Sequence, residues 1–293
     1  WAFRLATWFR VRTLPNETAG AELLHRWLRE QLQQHAPYDE VVRQVLQASG
    51  DSHRVAPAYF HRLAGDARTQ AEQVSELFLG VRLRCANCHD HPLDRWTQDD
   101  YHGLAAVFAR LDRGRVVQVT GRGQVTHPAT GDPSPPRLPG ERYLDDAATD
   151  DLRIPFASWL TAQENDYFAR NVVNRLWQAM LGRGLVEPVD DLSQTNPASH
   201  PELLSALAAD FVEHRFDLRH TLRQIATSAA YGRSSSTNDA EEQLDPRWLA
   251  HALSKPLPPE VLADALADVS GVPASYPGFP QGTRAVELPH PSV

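Results

Sequence analysis

Residues 77–111 read LFLGVRLRCANCHDHPLDRWTQDDYHGLAAVFARL, and they hold both cysteines of the 293-residue chain. Upstream, Val74, Leu77, Phe78 and Val81 recur at helical spacing and predict a helix from about Thr69 to Arg84. That helix delivers the chain into Cys85 and Cys88. Downstream, Thr97-Gln98-Asp99-Asp100 predicts a capping box, in which the Thr hydroxyl and an acidic third residue satisfy free amides. The helix it opens buries Tyr101, Leu104, Ala105 and Phe108. The two thiols therefore sit on a connection between two helices, with His89 directly after them.

Three chemistries fit such a connection. Cys85-Ala86-Asn87-Cys88-His89 matches the C-x-x-C-H signature of covalent c-type haem attachment. The spacing has a reason, because two sulfurs add to two vinyl groups on one side of a porphyrin and the next imidazole reaches the iron. Phe78, Leu83, Leu93, Trp96, Tyr101, Leu104 and Phe108 lie near enough in sequence to line a pocket, although a helix–helix core is the plainer role for most. A second chemistry is a metal clip of Cys85, Cys88, His89 and His91. Zinc sites usually draw ligand pairs from two separated segments, and four ligands within seven residues would strain a tetrahedron. The third is a dithiol redox centre. Reactive C-x-x-C cysteines favour helix N-termini, whereas the helix predicted here ends near Cys85 and its dipole would oppose a thiolate.

The rest of the chain reads as mainly α. AGAELLHRWLREQLQQH carries Leu23, Leu24, Trp27, Leu28 and Leu32 on one face, and YDEVVRQVLQASG reads as a second helix closed by Gly50. Val116, Val117, Val119 and Val125 flank Gly121-Arg122-Gly123 and predict a β-hairpin turning there. Prolines and glycines then dominate. Helical periodicity returns in IPFASWLTA, YFARNVVNRLWQAML, HPELLSALAADFVEH and LRHTLRQIATSAAY. Ser199-His200-Pro201-Glu202 suggests a capping-box start to the third of these. GRSSSTNDAEEQ reads as a solvated loop, and Pro259 to Val269 as a last helix. The expected architecture is a helical two-part protein with one small β-hairpin: 1–127, a Pro/Gly-rich linker at 128–149, and 150–293.

A formal net charge of -8 argues against nucleic acid as the main partner. No apolar run is long enough to span a bilayer. The chain opens at Trp1 and stops in GFPQGTRAVELPHPSV without a cap, which reads as a trimmed chain with any export signal outside it.

The 77–111 stretch resembles a cytochrome-c-like domain family abundant in planctomycetes, whose pattern is an apolar helix, C-x-x-C-H-x-H-P or a close variant, then an acidic Q-x-D-Y helix. The stretch LTAQENDYFARNVVNRLWQAMLGRGLVEPVDDLSQTNPASHPELLSALAADFV, residues 160–212, resembles the planctomycete-specific domain of unknown function that usually follows it. The resemblance implies an exported, cell-envelope protein, often fused to a further cytochrome-c domain, with no firmly attached activity. It implies Cys85 and Cys88 as thioether sites and His89 as the proximal ligand of haem c. Position 102 departs from the family's Tyr, so His102 is not expected to be a family-wide ligand.

Candidates for a distal ligand are His127, which follows the predicted hairpin, and Met180, the chain's only methionine. Met180 shares a stripe with Val173, Leu176 and Trp177, and core packing explains it equally. His91 is too near His89 to reach the opposite face of one haem, and serves better as a metal-clip ligand or a ligand to a neighbouring haem. Asp190 and Asp191 are expected to pair with Arg175 or Arg183 rather than form a hydrolytic carboxylate pair. Gly182-Arg183-Gly184 reads as a glycine-closed helix end. Asn171, Asn174 and Arg175 read as a buried polar network joining helices. The leading expectation is electron transfer or haem redox chemistry, with a redox partner protein or fused cytochrome domain. The alternatives are an interaction protein whose Cys/His cluster binds zinc or nothing, and an enzyme of unknown substrate in the second part.

Overall fold

In a computed structural model describing residues 1–15, 17–236 and 245–290, the chain is mainly α, with eleven helices and one three-stranded antiparallel sheet among those residues. The first half holds α1 (Ala2–Trp8), α2 (Ala19–Gln33), α3 (Tyr38–Gln47), α4 (Tyr59–Arg62), α5 (Ala67–Val74) and α6 (Gln98–Val107). The second holds α7 (Arg153–Leu160), α8 (Asp166–Leu181), α9 (Pro201–Glu213), α10 (Leu218–Thr227) and α11 (Pro259–Ser270). Among the described residues no helix is long and apolar enough to cross a membrane. The Ser-rich stretch at 232–243 falls partly outside the described residues.

Local chemistry explains where the main helices start and stop. The Asn165 side chain accepts from the Tyr167 and Phe168 amides to open α8, and Gly182, at φ 90°, closes it. Between them Phe168, Val172, Val173, Leu176 and Trp177 form the buried stripe. Thr97 and Asp100 make the expected capping box on α6. The one expected at Ser199 does not form. The Ser199 hydroxyl instead donates to the Leu185 carbonyl at 3.2 Å, and His200 stands at the N-cap without a side-chain capping bond.

The helix expected from Thr69 to Arg84 is shorter than its apolar stripe suggests. α5 ends at Val74, widens into one π turn over Ser75–Leu79, and stops at Gly80 in the left-handed region at φ 68°. α8 supplies the cause. Arg175 Nη2 donates to the Glu76 carbonyl and Asn171 Nδ2 to the Leu77 carbonyl, both at 2.6 Å, taking carbonyls that would otherwise continue the helix. Asn174 bonds both the amide and the carbonyl of Val186, so the expected polar network is present. Asp190 pairs with Arg82 at 2.7 Å, not with Arg175 or Arg183.

The β-hairpin also turns earlier than its sequence suggests. β2 (Leu111–Arg113) and β3 (Val116–Val119) meet around Gly114, whose amide donates to Asp112 Oδ1. β1 (Gly50–Asp51) pairs with the other edge of β3, Gly50 opposite Val117, so the order is β1-β3-β2. Gly50 thus begins a strand, and α3 ends at Gln47. Gly121-Arg122-Gly123 lies beyond the sheet: an added Cβ at Gly123 would fall 2.1 Å from the Ala109 carbonyl oxygen, so that glycine serves a backbone crossing.

One apolar core runs from α1 to α10. Phe108 of the first half meets Phe156 of α7 edge-on at 5.6 Å, and Tyr38 of α3 stacks on Phe168 of α8 at 6.0 Å.

Candidate functional site

Both cysteines belong to a separate 3-10 turn over Leu83–Asn87, with Cys88 capping its end. In a 3-10 helix residues i and i+3 eclipse. Leu83 and Ala86 therefore share the inward side, and both are buried. Cys85 and Cys88 share the outward side, where both are free and exposed. The C-x-x-C spacing thus delivers two thiols to one face of a turn whose other face is anchored in the core. Because the preceding helix stops at Gly80, the cysteines do not stand at its negative end, and the dipole argument against a dithiol no longer applies.

The turn is held from α6. The Asn87 carbonyl accepts from His102 Nε2 at 3.1 Å and from the Gln98 side chain at 3.5 Å. The Asp90 carboxylate accepts from the Gln98 amide at 2.8 Å, serving the free N-terminus of α6. Asp100, 2% exposed, accepts from the Thr97 and Gly140 amides and pairs with Arg137 at 2.9 Å. This ties the 137–143 segment to the same helix end. Arg95 lies over the rings of Trp96 and Tyr167, linking the loop after the cysteines to α8.

Two neighbouring histidines are set in opposite tautomers. His89 Nδ1 lies 2.8 Å from the Asp90 backbone carbonyl, which can only accept, so Nδ1 carries the proton and Nε2 keeps its lone pair. His89 is exposed, and that lone pair is available to a metal. His91 Nδ1 accepts from the Leu93 amide at 3.3 Å, so its proton sits on Nε2. Among the described residues the ligand atoms of Cys85, Cys88, His89 and His91 do not gather within 4.8 Å of one another; those of Asp210, His214 and His220 do.

The distal candidates are engaged elsewhere. His127 Nδ1 accepts from the Ala129 amide, its Nε2 lies 3.3 Å from Asp99, and its ring meets His102 edge-on at 5.1 Å. Met180 packs half-buried at the far end of α8, about 20 Å of helix from Tyr167. Of the residues expected to line a pocket, Phe78, Leu83, Trp96, Tyr101, Leu104 and Phe108 are buried in the core, and only Leu93, 66% exposed, stands at the surface. A cleft of about 490 Å³ opens beyond Arg95, between Tyr167, Arg170, Leu192 and Asn196. It contains none of the motif's sulfur or imidazole ligands.

His102, not expected from the sequence to be a family-wide ligand, is buried and holds the Asn87 carbonyl. Its signal was present: a polar residue in the middle of an apolar helix stripe, one position after Tyr101.

Residues 4–113 match a family model described as a protein of unknown function (DUF1549), and residues 152–286 match a second, also described as a protein of unknown function (DUF1553). This is the planctomycete domain pair. The pair brackets residues 114–151, where β3 and the wrap around α6 lie. Neither description assigns an activity to the pair, and no curated protein and no solved structure matches the chain. The Cys/His turn falls inside the first matched domain, and the Asp210 cluster inside the second.

Proposed function

We propose that Cys85 and Cys88 attach a c-type haem as thioethers, that His89 Nε2 binds its iron, and that the pair serves as an electron carrier of the cell envelope. The observation that carries this reading is the combination of two free thiols on one exposed face with a following histidine whose Nε2 lone pair is kept open. The residues present fit the group at its attachment side. Cys85 and Cys88 would hold the group through thioether bonds, each formed by adding S–H across a vinyl group so that no oxidant would be consumed. Bound there, haem supplies a reversible one-electron iron couple.

The chain's own residues do the positioning. The Asp90 carbonyl holds the His89 proton on Nδ1, which fixes the ring and raises the basicity of Nε2. His102 and Gln98 hold the Asn87 carbonyl, so the peptide between the cysteines is fixed by the fold. The turn is open to solvent, an arrangement suited to docking a redox partner protein or a fused cytochrome domain. His127 and Met180 are committed to other contacts, so the proposal assigns no distal ligand.

The test is maturation of the full chain with haem-attachment machinery in an oxidising compartment. A pyridine haemochrome spectrum of the thioether type and a mass gain of one haem are expected, both lost in Cys85→Ser/Cys88→Ser. A colourless product retaining zinc at the thiols, or carrying a Cys85–Cys88 disulfide, would overturn the reading.

A further inference from the structure

The cleft of about 490 Å³ beyond Arg95 lies where the two matched domains meet. Arg95 reaches it from the loop after the cysteines, inside the first domain. Asp166, Tyr167 and Arg170 of α8, with Leu192 and Asn196 of the segment before α9, come from the second. Its size is that of a small-molecule site, and junctions between domains are favoured places for one. Its described lining contains no thiol or imidazole of the Cys/His turn, so what it binds does not depend on haem attachment.

The charged groups of this cleft are held in place but not neutralised. The Arg95 guanidinium lies over the Trp96 ring at 4.9 Å and the Tyr167 ring at 5.8 Å. Its edge faces Gly140, whose carbonyl accepts from Nη2 at 3.5 Å and where an added Cβ would collide with the same nitrogen. The Gly140 amide donates to buried Asp100, so the backbone that admits the guanidinium is itself fixed from α6. Arg170 Nη2 donates to the Ser205 hydroxyl at 2.7 Å, a partner that carries no charge. Among the described residues neither arginine forms an ion pair, nor does Asp166, and the Tyr167 hydroxyl has no hydrogen-bond partner. Burial raises the pKa of that phenol, the positive charges of Arg95 and Arg170 oppose the rise, and Asp166 adds to it. Both guanidiniums therefore act on one point. Like charges gathered in this way repel unless an anion lies between them.

The chemistry of the lining narrows the anion. Two guanidiniums and one carboxylate leave one positive charge in excess, which a monoanion balances. A guanidinium fork matches a carboxylate in bidentate fashion. Asp166 can only accept hydrogen bonds. Asn196 spends its amide hydrogens on the Asp191 and Glu187 carbonyls, at 2.9 and 3.3 Å, and keeps its side-chain oxygen as an acceptor. The ligand must therefore bring donors of its own. Leu192 offers apolar surface to a carbon skeleton. We infer that this cleft binds a small hydroxylated monocarboxylate, the chemistry of a sugar acid, with Arg95 and Arg170 on its carboxylate and Asp166 and Asn196 accepting from its hydroxyls.

The experiment titrates glucuronate into the full chain by calorimetry, with glucose and acetate in parallel. One glucuronate per chain is expected, with no uptake of glucose and acetate weaker by about tenfold or more. Arg95→Gln and Arg170→Gln should each weaken glucuronate by about tenfold, while Arg122→Gln, which removes an exposed charge outside the cleft, should not. Asp166→Ala should weaken glucuronate and leave acetate no weaker. In the unsubstituted chain the side-chain Nε–H signals of Arg95 and Arg170 should shift by NMR on glucuronate addition, which a misfolded variant cannot imitate. Absence of glucuronate uptake, equal uptake of glucose, or an equal loss in Arg122→Gln overturns the inference. So does uptake that leaves both arginine signals unmoved.

Discussion

Histidine shows how far one residue's role depends on its surroundings. His89 and His91 are two positions apart, yet a carbonyl faces one Nδ1 and an amide faces the other, which leaves Nε2 open on His89 only. The cluster of thiols and imidazoles was visible in the sequence because its members are adjacent. The tautomers were not, because they depend on how the loop turns back on its own backbone. His61 carries the same logic into stability. It is fully buried, and burial together with the nearby Arg153 guanidinium pushes its pKa down to about 3. Arg153 donates to His61 Nε2 at 3.2 Å, and His61 Nδ1 lies 3.4 Å from Gln70 Oε1, so the native ring is neutral. The unfolded ring protonates near its ordinary value of about 6.5. Stability contributed by neutral His61 is therefore intact above that value and falls as pH drops from 6.5 toward 3, by up to about 1.4 kcal/mol per pH unit. Carboxylates held low, such as Asp51 beside Arg115, add their loss only below about pH 4. Urea midpoints measured between pH 7.5 and 4.5 should fall with acid in the parent and less steeply in His61→Gln. Equal slopes would show that another group sets the acid limb.

At the scale of elements, apolar stripes and caps were legible and contacts from distant segments were not. The Thr97 box and the α8 stripe follow from local sequence. The π turn before Gly80 exists because Asn171 and Arg175, nearly a hundred residues away, take its carbonyls. α6 gives the sharpest case. Gly103, mid-helix, looks like a weak point that alanine would improve by about 1 kcal/mol. In the fold, the Arg137 amide donates to the Gly103 carbonyl at 3.0 Å, and an added Cβ would lie 2.4 Å from Arg137 Cβ. Overpacking of this kind costs about 1–3 kcal/mol, so the contact outweighs the propensity. Gly103→Ala should lower stability by about 1–2 kcal/mol in urea unfolding. It should also free the 137–143 segment, read as faster amide exchange at Gly140. Gly65→Ala, where the new methyl meets nothing within 4 Å, is the control and should be close to neutral. A stabilised Gly103→Ala would mean that the segment does not pack against α6 in solution.

On the scale of the whole molecule, the sequence reads as two parts joined by a Pro/Gly-rich stretch, and the family matches fall on either side of it. What no local pattern could show is how the parts meet, because the residue that joins them looks like a surface charge at the start of a helix. Arg153 is 1% exposed. Its guanidinium donates to the Ala48 carbonyl at 2.7 Å and to the Ser49 hydroxyl at 2.8 Å, both in the first half. Asp151 neutralises it at 2.9 Å, and His61 accepts from it across the same boundary. Removing a partner from a buried charge network typically costs about 3–5 kcal/mol, a large share of the 5–15 kcal/mol that holds an ordinary domain. Phe108 on Phe156 and Tyr38 on Phe168 add apolar contact across the same join. The two halves should therefore unfold together. Fluorescence of Trp27 and Trp96 in the first half and of Trp159 and Trp177 in the second, isolated by Trp→Phe replacements, should report one urea midpoint. Arg153→Met should move both signals down in concert. If the first-half signal stayed in place while the second fell, the halves would be energetically separate, and the buried guanidinium would stabilise only its own helix.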